Sequence, residues 1–141
     1  MSSLVNQKLS ISSLAAEKVI AAARSKAAEM GKPMVIAIVD EAGELKAFER
    51  MDSAPMLSVK LAQDKAYTAV SFGMPSHGWH DFIKDDAPLL HGIVHTDRLV
   101  VFGGGYPITV NGEVVGGIGV SGAHYSDDML VAEAGLAALE D

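Results

Sequence analysis

Four of the chain's five histidines fall in HGWHDFIKDDAPLLHGIVH, residues 77–95, with the one tryptophan, Trp79, and the carboxylates Asp81, Asp85 and Asp86. His77 and His80 are three residues apart, and His91 and His95 are four apart. The first pair can share a helical face and the second lies in a loop that can fold back towards it, so that the two pairs together could hold a divalent cation or a haem iron. Imidazole also exchanges a proton near neutral pH, so one or more of His77, His80, His91 and His95 could act as general acid or base, with an aspartate orienting the ring. The zincin pattern H-E-x-x-H is absent, and the same residues could equally cap helices, meet another subunit or form a solvated face.

A second set of groups could bind rather than react. Arg50, in FERMDSAP, offers a planar fork for a carboxylate, or for Asp52 or a neighbouring subunit. Lys65 and Tyr67, in QDKAYTA, supply a cation and a hydroxyl, and Trp79 an aromatic face. The runs GGGYPI (103–108) and VGGIGVSG (115–122) place Gly104, Gly105 and Gly117 where strands need close approach, either of another backbone or of a ligand lying on exposed amides. Neither run has the Walker lysine or precedes a crossover helix, which disfavours a nucleotide. Ser121 lacks the G-x-S-x-G elbow, which disfavours a serine hydrolase.

The elements that must position these groups read as one domain over residues 1–141. Ser10 caps a first helix that Gly31 and Pro33 end. MVIAIVD (34–40) and ELKAFERM (44–51) form a hairpin, and SAPMLSVKLAQDKAYTAVSFGMP a second helix. Ser76 caps a short third helix through WHDFIK that ends before Pro88, and loop follows to Asp97. RLVVF (98–102), PITV (107–110) and VVGGIGVSG (114–122) read as three strands, the last two joined by the hairpin signal Asn111-Gly112. Ser126 caps a closing helix with Asp127 and Asp128 in its first turn. The order is α-β-β-α-α-β-β-β-α. Hairpin connections imply an antiparallel sheet and an α+β class.

Composition narrows the partners. A net charge of −7 offers no cationic footprint for nucleic acid. With no cysteine, thiolate chemistry is excluded, and any metal must rest on His, carboxylate or backbone oxygen. No apolar run spans a bilayer and MSSLVNQKLS is not signal-like, so a cytoplasmic protein without a membrane partner is expected. Hydrophobic residues make up 49% of so short a chain, and mean hydropathy is +0.23, which predicts apolar surface shared between subunits.

The phrases GKPMVIAIVDEAGELKAFERMDSAP, KAYTAVSFGMPS, GGGYPITVNGEVVGGIGVSG and AEAGLAAL resemble the GlcG/HbpS family, which includes the C-terminal domain of PduO-type corrinoid adenosyltransferases. The resemblance runs from Leu9 to Leu139. It implies a profilin-like fold with a five-stranded antiparallel sheet flanked by helices, and a dimer-based homo-oligomer, commonly an octamer. Some members bind haem, and others occur beside catabolic genes. The histidine-rich middle segment departs from the alanine- and glycine-rich connection of many relatives, so haem is not implied for this chain by resemblance alone. The function expected is binding of a small, anionic organic metabolite, with a cofactor-independent proton transfer of isomerase, hydratase or lyase type as its chemistry. A haem or metal carrier and a purely structural assembly partner are the alternatives; no cofactor is required by the first.

Overall fold

The computed structural model describes residues 3–140. Helix α1 (Ser13–Glu29) starts where the Ser12 hydroxyl accepts from the Ala15 N–H at 3.1 Å, two residues later than the cap expected at Ser10. Its small and branched face, Ala16, Val19, Ile20, Ala23 and Ala27, is buried. Gly31, with φ +70°, then carries the chain out into β1 (Val35–Asp40). The Asp40 carboxylate accepts from the N–H groups of Ala42 and Glu44 and so shapes the turn into β2 (Leu45–Arg50).

Strands β3 (Gly105–Val110) and β4 (Glu113–Ser121) are joined through Asn111 and Gly112, both at positive φ as the hairpin signal requires. The sheet runs β2-β1-β4-β3 and every pairing is antiparallel. Alternation along the central strands sorts side chains into two layers. Ile36, Ile38, Ile118 and Val120 face α1 and the closing helix α5 (Tyr125–Ala137), and Val35 and Ala37 face α2 (Leu57–Phe72).

On that second face α2 lies almost on the sheet backbone. A Cβ at Gly119 would stand 1.9 Å from the Ala62 carbonyl oxygen, and one at Gly105 2.2 Å from that of Lys65. Gly105 and Gly117, candidates for a ligand floor, thus lie against the α2 backbone, and close packing is the role the geometry gives them.

The sheet has four strands, not the five expected. Leu99–Phe102 forms no regular element and pairs with no strand; its backbone is met by a side chain of α2. The Thr68 hydroxyl donates to the Arg98 carbonyl and accepts from the Val100 N–H, each at 2.9 Å. Between α2 and this segment lie three further helical pieces: α3 (Gly78–Ile83), α4 (Ala87–Gly92) and a 3-10 turn, Ile93–His95. Residues 87–95 were expected to be loop. Pro88 instead occupies the first turn of α4, where its missing N–H costs nothing, and the Asp86 carboxylate caps the helix on the Leu89 N–H. The order is therefore α-β-β-α-α-α-β-β-α. Among the described residues no helix is long and apolar enough to cross a membrane.

Candidate functional site

The middle segment is clipped to the sheet at its start. Ser76 is fully buried; its N–H donates to the Gly105 carbonyl and its hydroxyl accepts from the Gly105 N–H, both at 2.9 Å. This holds Ser76 to β3 rather than to the helix it was expected to cap, and α3 begins after His77 without a side-chain cap. Once clipped, α3 turns Trp79 and Ile83 inward and leaves His77, His80 and Asp81 exposed.

Those outward residues face the irregular segment that precedes β3. Together they form a cleft of about 380 Å³ lined by His77, His80, Asp81, Phe102, Gly103 and Tyr125. Gly103 is buried there, and a Cβ on it would fall 2.4 Å from the Met129 sulfur. Tyr125 opens α5, stacked 4.1 Å from His124, whose Nδ1 accepts from the Ser126 N–H. His124 thus takes the capping role expected of Ser126. The His77 ring meets Tyr106 edge-on at 5.5 Å.

Behind the cleft lies a buried ion pair. Lys65 Nζ donates to Asp128 Oδ2 and to the Val120 carbonyl, both at 2.9 Å, and sits 5.2 Å from the Phe102 ring. Asp128 also accepts from the Ala123 N–H. Burial pushes the lysine below its ordinary value and the carboxyl above its own, and each partner's charge opposes that shift. Gly104, at φ +125°, leaves the space that Lys65 fills: a Cβ would lie 2.7 Å from Nζ.

The other candidates are dispersed. His91 and His95 are exposed on α4 and the 3-10 turn and are not part of this cleft. Among the described residues, no group of three or more His, Asp or Glu side chains is placed to hold a metal ion. Arg50 is on the edge strand farthest from β3 and donates to the Ala54 carbonyl at 3.2 Å. Tyr67 does not meet Lys65; the Arg98 guanidinium lies over its ring at 3.9 Å. Phe102, Tyr125 and Asp128 were not among the site residues read from the sequence. Phe102 lay in an apolar run resembling a strand, and Asp128 in a helix first turn where acidic residues are routine.

These features define a layered antiparallel α+β domain with an imidazole- and aromatic-lined cleft beside its last hairpin. The chain belongs to the HbpS-like family, described as haem degrading protein HbpS-like, which matches residues 11–137. It is 38% identical over 132 residues, 92% of each chain, to a 15.0 kDa protein of the dhaT-dhaS intergenic region of Citrobacter freundii. Two crystal structures are close to it. HbpS superposes with a TM-score of 0.90 at 30% identity, covering 100% of this chain and 98% of HbpS. A complex of PduOC with heme superposes with a TM-score of 0.86 at 32% identity, covering 94% and 96%.

Proposed function

We propose that this chain binds a small, oxygenated organic acid in the cleft between α3 and the start of α5, with His77 or His80 as proton donor and acceptor. One observation carries the reading: two exposed imidazoles and the Tyr125 ring line the same hollow, walled by Phe102 and floored by Gly103. At about 380 Å³ the hollow falls within the usual size of metabolite sites. Arg50 is too far across the sheet to serve it within one protomer. Anion recognition there falls to the two imidazoles, the Asp81 carboxylate in the same lining being paired with Lys84. The chemistry such a pair supports is proton transfer, as in isomerisation, hydration or elimination, which needs no cofactor.

Haem is the second reading. An exposed imidazole beside aromatic walls is a donor set that fits haem: His77 or His80 would hold the iron, and Phe102 and Tyr125 would supply the apolar contact. When bound, haem would supply redox or oxygen chemistry. The likeness to PduOC, whose structure is a heme complex, supports this reading.

Calorimetric titration with glycolate and with benzoate tests the first reading. Saturable binding is expected, weakened about tenfold in His77→Ala or His80→Ala and unchanged in His91→Ala. No binding, or binding indifferent to His77 and His80, sinks it. A stoichiometric Soret shift with haemin, lost in the same two variants, would put haem in its place. We further propose that the chain self-associates, as its exposed Leu4, Val5, Leu14, Met56 and Leu57 suggest.

A further inference from the structure

The middle segment builds a second hollow that shares no lining residue with the histidine cleft. It measures about 270 Å³ and lies between the C-terminal half of α2, the inner side of α3 and the turn after α4. Tyr67, Phe72, Trp79 and Ile93 give it apolar walls, and Thr96 and Asp97 stand at the polar side. The Tyr67 wall is fixed from behind by Arg98, which is also held by Asp64 at 3.4 Å.

Two groups here are unspent. Trp79 is 4% exposed, and its Nε1–H is the one buried side-chain polar atom without a hydrogen-bond partner among the described residues. A buried donor left unmet carries a desolvation penalty, which an incoming acceptor would recover. The ring beside it is Phe72, 5.0 Å away, 59% exposed and outside both buried clusters, so a shift of this ring to admit that acceptor would leave the core packing in place. Asp97 is exposed, and among the described residues it forms no ion pair, its neighbour Arg98 being committed elsewhere.

We infer that this hollow is a binding site for a small, flat ring compound carrying one hydrogen-bond acceptor and one donor. The acceptor meets the Trp79 Nε1–H, the donor meets the Asp97 carboxylate, and the ring lies among Tyr67, Phe72 and Ile93. Offset aromatic contact supplies affinity, and the two polar groups fix orientation. A ligand bearing only a carboxylate is disfavoured by Asp97. The chemistry selected therefore differs from that of the histidine cleft.

Trp79 is the only tryptophan, so its indole N–H gives a single resonance in a nitrogen–proton correlation spectrum of the whole protein. Benzimidazole, with an acceptor and a donor on one flat frame, is the probe, and indene, which has neither, is its control. The expected result is a saturable shift of the Trp79 resonance with benzimidazole and at least about tenfold weaker response to indene. Asp97→Asn, an exposed change that spares the core, should weaken benzimidazole about tenfold, and His77→Ala should leave it unaltered. No saturable shift, equal response to indene, or loss of binding in His77→Ala but not in Asp97→Asn would overturn the assignment. None of these results depends on whether the histidine cleft binds an acid.

Discussion

Lys65 is the largest fully buried side chain, and its charge is tolerable only because Asp128 and the Val120 carbonyl meet it. Removing one partner strands the other in a medium that cannot solvate it. Lys65→Met or Asp128→Leu alone should each cost about 3–5 kcal/mol in urea denaturation, and the double variant much less than their sum. The sequence offered Lys65 as a binding cation. It could not show the neutralising carboxylate, because the pair is 63 residues apart and meets only after α5 closes on the sheet. Tyr106 makes a second residue-scale case. Burial first, and then its hydrogen bond to Glu133, raise its phenol above the ordinary 10.0. The folded chain therefore keeps a proton that the unfolded chain releases. That contribution to stability is full below pH 10.0 and is lost as pH rises from there through the raised value. Tyr106→Phe should flatten the alkaline fall in stability and remove one late-ionising phenol from an absorbance titration.

At the scale of elements, what could be read in advance was whatever a local period or a turn residue specifies. The α1 and α2 stripes, the first hairpin and the Asn111-Gly112 turn needed no tertiary information. The errors fall where a distant partner decides. RLVVF has a strand's composition, yet Thr68 takes the hydrogen bonds at Arg98 and Val100 that a neighbouring strand would take, and Arg98 is at φ +66°. Thr68→Val should destabilise by about 1–3 kcal/mol through an orphaned Val100 N–H, seen as faster hydrogen exchange at that amide. Glycine shows the same division. Gly119→Ala would drive a methyl into the Ala62 carbonyl and should cost about 3 kcal/mol. Gly92→Ala, at the end of α4 with open space beside it, should stabilise by about 0.5–1 kcal/mol. Both are glycines in regular elements, and only the packing of α2 separates them in thermal unfolding.

The two faces of the sheet are packed differently. On one side α1 and α5 bury a continuous aliphatic core. On the other, α2 presses on the glycines, and the middle segment is clipped at Ser76 so that α3 stands out from the sheet with a hollow on each side. The histidine pairs part there: α3 turns His77 and His80 towards one hollow, and α4 with its 3-10 turn leaves His91 and His95 outside it. Spacing alone made the four equivalent, because the Asp86 cap that starts a separate helix lies between the pairs. The apolar excess has a location too. Met56 and Leu57, adjacent at the start of α2, are 80% and 70% exposed, and burying such side chains is worth about 1.5–3 kcal/mol each. If they meet a second copy, light scattering at micromolar concentration should return a multiple of 14.8 kDa. Met56→Ser with Leu57→Ser should shift that mass towards the monomer and leave unfolding of the dissociated chain nearly unchanged, since neither side chain is in the core. A monomeric parent chain at that concentration would leave the exposed pair without a role in assembly.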